Sequence, residues 1–179
     1  MIRYRMAQVD SAADRAIEWL RAPKPMEEVA PAILAVLAQA AGSVRAAYWV
    51  FDAVGERLRP FVTWSPSGTE APTPGQEAPL LALGFRNAAI AWCGGKPVWS
   101  TMPIPESLSS PQDSTSPGLH GGVWFALKTD IAVYGVIELL GRAFEPRPPE
   151  TLSDLGRIGF RLGRGVHRSL REEAVRLNL

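Results

Sequence analysis

The chain has 179 residues, 46% of them hydrophobic and 21% charged, which predicts a single globular domain with a substantial core. Nineteen Lys and Arg residues balance eighteen Asp and Glu residues, so the net charge of +1 gives no reason to expect nucleic acid as a direct partner. A single cysteine excludes an internal disulfide, and no apolar stretch approaches the ~20 residues that a membrane span needs. We therefore expect a cytoplasmic location and no membrane span in this chain.

Two helices are predicted at the start of the chain. Residues 11–21 form a helix-compatible segment, with Ser11 as the expected N-cap and prolines after its end. Residues 26–41 carry apolar side chains at helical spacing, with Pro31 expected in the first turns and Gly42 as the terminator. The first helix is expected to be a short lead-in to the domain.

The next segment predicts an antiparallel hairpin. Residues 46–51 are rich in aromatic and β-prone side chains, and residues 58–64 show alternating apolar side chains after a turn. Pro60 has no N–H to donate to a neighbouring strand, so the second strand is expected at an edge of the sheet. Residues 65–78 are dense in Pro, Gly, Ser and Thr, which predicts a surface loop outside the sheet.

A short helix is predicted over residues 84–92, with Gly94 and Gly95 ending it before a small strand at residues 97–99. A second polar loop is expected over residues 101–117. Two such loops beside a short helix are unusual in a compact domain unless they cover a site.

The clearest hairpin joins residues 121–128 to residues 132–140. Its second strand is almost continuously apolar, which predicts a central strand covered on both faces. A proline-rich passage then leads into a final helix. The apolar residues of that helix follow a three-and-four spacing typical of a packing stripe: Leu152, Leu155, Ile158, Leu162, Val166 and Leu170.

Four glycines interrupt the final helix, and each costs about 1 kcal/mol of helix stability relative to alanine. They are Gly156, Gly159, Gly163 and Gly165. Close approach of another element would justify this cost. That element is either the domain's own sheet or second helix, or a second copy of the chain in a dimer.

Three passages carry a resemblance to a known family. They are AWCGGKPVW at residues 91–99, GLHGGVWFAL at residues 118–127, and VYGVIEL at residues 133–139, the last followed by Arg142 and by residues 144–146. Each motif is weak alone, and their order along the chain is the evidence. In this order they resemble the GAF family of sensory and regulatory domains over nearly the whole chain.

The resemblance implies an α+β, PAS-related fold. A central antiparallel sheet is expected to carry the N- and C-terminal helices on one face and a short pocket helix with loops on the other. The chain divides into a lead-in helix over residues 1–24 and a GAF domain over residues 25–179 that includes the long C-terminal helix. Two departures indicate a diverged pocket: Ser100 and Thr101 stand where the family commonly has an aspartate, and Ala126 replaces a proline.

The family resemblance also implies a small-molecule pocket on the sheet face that the short helix covers. An aromatic wall with a few polar groups suits a planar or apolar ligand. The alternative for each aromatic side chain is packing in the core, and Tyr48 and Trp49 are strand neighbours that cannot both line one cavity. The candidate ligand-binding residues are Phe85, Trp92, Trp99, His120, Trp124 and Tyr134.

Cys93 and His120 bear on the question of a cofactor. Bilin-binding members of the family typically carry a Cys-His pair at the pocket, whereas Gly94 follows Cys93 here, which argues against a bilin. Haem ligation through His120 is an open alternative that the sequence does not favour. A lone thiol cannot complete the disulfide cycle of the family's free-methionine-sulfoxide reductase, so Cys93 is expected to be inert and half-buried.

The remaining chemistry points away from an enzyme. Two histidines and one cysteine far apart in sequence make no metal-ligand set, and His167 is expected to be a solvated neighbour of Arg164 and Arg168. Hydrolase and nucleotide-binding motifs are absent from the sequence.

The resemblance therefore implies a regulatory, small-molecule-sensing domain of a signal-transduction system. It is expected to form a homodimer through its terminal helices and to couple pocket occupancy to a kinase, cyclase or transcription-regulator output. The alternative is a ligand-free interaction module whose pocket is filled by its own aromatic side chains. The sequence does not identify the ligand.

Overall fold

A six-stranded sheet is the framework of the computed structural model, which describes residues 2–70, 78–102, 120–141 and 149–178. The elements in chain order are α1 (Ile2–Trp19), α2 (Met26–Ala41), β1 (Arg45–Asp52), β2 (Arg57–Ser65), β3 (Gly68–Glu70), α3 (Ala78–Gly94), β4 (Val98–Met102), β5 (His120–Lys128), β6 (Val133–Gly141) and α4 (Pro149–Leu177).

The strands run in the order β3-β2-β1-β6-β5-β4, and every neighbouring pair is antiparallel. Helices α1, α2 and α4 share one apolar core with one face of the sheet, whereas α3 packs on the opposite face. This arrangement confirms the expected α+β fold with the terminal helices on one face and the pocket helix on the other. Among the described residues, no helix is long and apolar enough to cross a membrane.

Helix α1 is longer than expected. It begins at Ile2, so Ser11 lies exposed inside the helix and the prediction that it caps the N-terminus is wrong. The buried stripe of α1 consists largely of small residues, which lets the helix pack against both α2 and α4: Val9, Ala12, Ala13 and Ala16, with buried Leu20 directly after the helix end. Arg161 of α4 ties the two terminal helices together by hydrogen bonds to Asp10 and Asp14.

Helix α2 has the predicted bounds. Gly42 ends it in the left-handed conformation, with φ of 66°, and its N–H is bonded to the carbonyl of Gln39. A residue with a side chain would be strained at this backbone angle, which explains why glycine terminates the helix here. Pro31 is accommodated inside the helix, in its second turn.

Strand β2 departs from its expected position at an edge. Gly68–Glu70 forms β3 and pairs with residues 63–65 of β2, so the predicted loop over residues 65–78 is wrong for this part. Pro60 lies outside that pairing and is paired with Trp49 of β1, next to a register shift at which Phe61 is an extra residue in β2. Residues 71–77 of the predicted loop lie outside the described residues, and its last residue begins α3.

Helix α3 and strand β4 are both longer than predicted. The helix begins at Ala78 rather than at Gly84. Its end is as predicted, since Gly95 follows it with φ of 60°. The first two residues of the predicted 101–117 loop belong to β4, and the others lie outside the described residues.

The hairpin of β5 and β6 and the position of β6 between β1 and β5 confirm the prediction of a central strand. The glycines of α4 pack inside the same molecule. A Cβ added at Gly159 would overlap the carbonyl oxygen of Ala126, and one at Gly163 would overlap the backbone of Lys128. These contacts favour the first of the two explanations for the glycines, which is close approach to the domain's own sheet.

Candidate functional site

A carboxyl group is buried beneath α3. Glu138 lies in the middle of β6, and only 6% of the residue is exposed. The neighbours on the same face of the strand, Val136 and Leu140, belong to the apolar cluster between the sheet and α3. An ionisable group in such surroundings is costly unless it is compensated, so Glu138 is the first candidate for a functional residue.

Two indole groups lie beside this carboxyl group. Trp124 is the direct cross-strand partner of Glu138, and its Nε1 donates a hydrogen bond of 2.6 Å to Glu138 Oε2. Trp49 on β1 is buried, and its Nε1 has no hydrogen-bond partner of ordinary geometry among the described residues. The site therefore combines a buried acceptor with a buried donor that is unsatisfied.

Helix α3 closes the site through Gly84. A Cβ added at Gly84 would overlap Oε2 of Glu138 and would lie 2.9 Å from Cζ2 of Trp49. Only glycine lets the helix backbone come this close to the carboxyl group. The position of α3 is therefore directly sensitive to the space that Glu138 and Trp49 occupy.

Burial raises the pKa of Glu138 to about 7, from an ordinary value of 4.5. The hydrogen bond from Trp124, the indole of Trp49 and the positive charge of Arg45 each lower the pKa, but they do not offset burial. Because Trp49 makes no direct hydrogen bond of ordinary geometry, we attribute its effect to the dipole of its nearby N–H group. The carboxyl group consequently changes its protonation state near neutral pH.

The described side chains among the six residues predicted from the sequence lie on both faces of the sheet. Trp124 is buried beneath α3, while Trp92 is partly buried on α3 and stacks on Phe51 of β1 with ring centroids 5.9 Å apart. Phe85, also on α3, is 43% exposed. His120 begins β5, and its side chain lies outside the described part of the structure.

Trp99 and Tyr134 pack against the core on the opposite face, with α1, α2 and α4. These two side chains therefore lie on the opposite face of the sheet from Trp124 and α3. For Tyr134 the reason is a register shift at the end of the β5–β6 pair, where Lys128 pairs with Val133 and Leu127 pairs with Gly135. The irregularity leaves Tyr134 without a partner in that register and turns its side chain toward α4.

Two further expectations are corrected. His167 is not simply solvated, because its Nδ1 shares a hydrogen bond of 2.5 Å with the hydroxyl of Tyr134. Cys93 is exposed at the end of α3 rather than half-buried. Within the described ranges, no group of three or more His, Cys, Asp or Glu side chains could hold a metal ion.

The sequence contained a signal for Glu138 that we did not use. The strand over residues 132–140 was predicted to be covered on both faces, and Glu138 is its only acidic residue. A carboxyl group in a strand without a solvated face must be buried, so the pattern predicts a perturbed group. What the sequence could not reveal is that Trp49, Trp124 and Gly84 surround it.

Known proteins resemble this chain in structure and not in sequence. No protein-family model and no curated protein sequence matches the chain. Among solved structures, the GAF domain of nlh2 from A. aeolicus in an inactive state is 16% identical with a TM-score of 0.59, over 91% of this chain and 98% of that one. The GAF domain of a phosphoenolpyruvate-protein phosphotransferase from Coxiella burnetii is 9% identical with a TM-score of 0.57, over 94% and 98%.

An enzyme also matches at this level. The free methionine-R-sulfoxide reductase from Neisseria meningitidis, solved in complex with its substrate, is 17% identical with a TM-score of 0.53, over 94% of this chain and 90% of that one. At identities this low the similarity establishes the fold and not the activity. The chain has the fold of a GAF domain.

Proposed function

We propose that the chain is a regulatory domain of a cytoplasmic signal-transduction system, and that it binds a small molecule between the sheet and α3. The observation that carries the proposal is the buried carboxyl group of Glu138 beside the buried indole of Trp49, whose N–H makes no ordinary hydrogen bond among the described residues. A few polar groups in an otherwise apolar site are what fix the orientation of a bound small molecule.

The sheet offers a direct route from this site to the C-terminal helix. Trp124 of β5 packs beneath α3, and the backbone of the same strand at Ala126 and Lys128 contacts Gly159 and Gly163 of α4. A ligand that displaces Trp124 would therefore shift the strand on which α4 rests. The ligand must prefer one arrangement of the helices, because equal affinity for both arrangements shifts nothing.

We further propose that the working unit is a homodimer formed through the terminal helices, with residues 1–24 as the lead-in helix and residues 25–179 as the sensory domain. The output would be a kinase, a cyclase or a transcription regulator, and the domain itself would have no catalytic role. Support comes from the fold, in which α1 and α4 pack side by side through Arg161.

The test is native mass spectrometry of small molecules that co-purify with the protein. We expect the wild type to retain a compound that Glu138→Gln loses, with an affinity at least about tenfold weaker, which corresponds to roughly 1.4 kcal/mol. Glu172→Gln is the matched control, because it makes the same change at an exposed position of α4. Equal retention by Glu138→Gln and the wild type, or equal loss by both variants, would contradict the proposed site.

One observation favours the rival function of a ligand-free interaction module. Trp124 is fully buried and Trp49 is 2% exposed, so this chain already fills the surroundings of Glu138 with its own side chains. The two functions predict different results for the wild type. A module of this kind would dimerise with the same dissociation constant whether or not co-purified compounds had been removed, whereas a sensor would not.

A further inference from the structure

We propose that the domain also senses protons, with Glu138 as the proton-binding site, and that the protonation state of this side chain controls how tightly α3 docks on the sheet. The proposal goes beyond small-molecule sensing and does not depend on it. It rests on a cluster of groups at the interface between β6, β5, β1 and α3.

The first step is that the charge of an ionised Glu138 is only partly compensated. Its carboxylate has one direct hydrogen bond, from Trp124, and no cationic group lies within salt-bridge distance among the residues that the structure describes. A buried carboxylate normally needs an ion pair or several donors to be as stable as it is in water. The neutral acid is therefore the form that this packed interface favours.

The second step concerns the charged groups on the elements around Glu138. Arg45 on β1 is the cation whose charge lowers the pKa, but its side chain is exposed and makes no ion pair with the carboxylate. The described part of α3 contributes Gly84 at the contact, and its one cationic side chain, Arg86, is exposed. Burial consequently outweighs these charges, and the pKa of about 7 lies in the physiological range.

The third step links ionisation to α3. The helix backbone at Gly84 packs directly on Oε2 of Glu138, so water can solvate the carboxylate from this side only if the helix moves away. A proton removes the need for that water. Docked α3 should therefore be the low-pH arrangement, and a loosened α3 should be the high-pH arrangement, with the midpoint near pH 7.

The experiment is a titration from pH 3.5 to pH 8.5 that follows the indole N–H signals of the tryptophans by NMR. We expect Trp124 and Trp49 to shift with a common midpoint near 7, and we expect the exposed Trp19 on α1 to show no such transition. Glu138→Gln should abolish the transition. A midpoint near the ordinary glutamate value of 4.5, or the same transition in Glu138→Gln, would overturn the proposal.

A second variant keeps the test informative if Glu138→Gln folds poorly. Trp124→Phe removes the donor that stabilises the ionised form, so the midpoint reported by Trp49 should move above that of the wild type. An unchanged or lower midpoint would contradict the assignment of the proton to Glu138. Because no small molecule takes part, the result is independent of whether a ligand is ever found.

Hydrogen exchange tests the movement of α3. Between pH 5.5 and pH 8.5, protection factors of amides over residues 84–92 should fall by up to about 30-fold in the wild type, if opening restores an ordinary pKa to Glu138. The buried segment 158–166 of α4 is the internal reference, and Glu138→Gln is the control. Loss of protection that is equal in α3 and α4, or equal in wild type and variant, would show that α3 is not controlled by this proton.

Discussion

The raised pKa of Glu138 has a measurable consequence for the stability of the whole domain. A group whose folded-state pKa lies above its unfolded value binds protons more tightly in the folded state, so its stabilising effect is complete below the unfolded value and is lost as pH rises through the folded value. For Glu138 the two values are 4.5 and about 7. The full effect is about 3 kcal/mol, and most of it should be lost between pH 5 and pH 8.5.

The assay is urea unfolding of the wild type and of Glu138→Gln at several pH values across this range. Other groups titrate as well, so the quantity to compare is the difference between the two proteins in the free energy of unfolding. That difference should change by about 2–3 kcal/mol in favour of the variant as pH rises. Parallel pH profiles would refute the reasoning, and Glu172→Gln should follow the wild type throughout because its carboxyl group is exposed.

Four further substitutions test the packing of α4. Gly163→Ala should destabilise the domain by about 1–3 kcal/mol in urea unfolding, because the added Cβ meets the backbone of Lys128. Gly156→Ala should be neutral or stabilising, because its Cβ would lie 3.5 Å from the nearest atom. Equal effects of the two substitutions would count against the backbone contact at Gly163. Arg161→Ala should cost about 0.5–1 kcal/mol, and less in high salt, because it breaks two partly exposed ion pairs, to Asp10 and Asp14. A salt-independent loss would contradict this. Tyr134→Phe should cost about 1 kcal/mol at neutral pH through the lost bond to α4, and thermal unfolding with an unchanged midpoint would argue against that bond.

The helices and strands whose apolar residues recur at a regular spacing were predictable from the sequence. Helix α2 and the β5–β6 hairpin follow apolar periodicity over their length and end at residues with a defined role, such as Gly42. Strand β3 was missed because it is the short second arm of a local hairpin with residues 63–65, and its three residues carry no apolar alternation of their own. The early start of α1 was missed because Ser11 resembles a cap, although buried Val9 already belongs to the helix stripe.

The candidate site was less predictable than the fold, because successive side chains of a strand point to opposite faces of the sheet. A sequence pattern assigns side chains to a face only if the register is regular. The shift near Lys128 moves Tyr134 to the α4 side, and it leaves no trace in composition. Glu138 could have been flagged as a buried acid, but its neighbours Trp49 and Gly84 come from elements far away in sequence.

The packing contact between α4 and β5 has a mechanical consequence. Where two elements meet through side chains, a small displacement can be absorbed when those side chains adopt other rotamers. At Gly159 and Gly163 there are no side chains, and helix backbone rests on strand backbone. No change of rotamer can absorb a displacement at this contact. A sub-ångström shift of the strand should therefore move the helix by nearly the same distance.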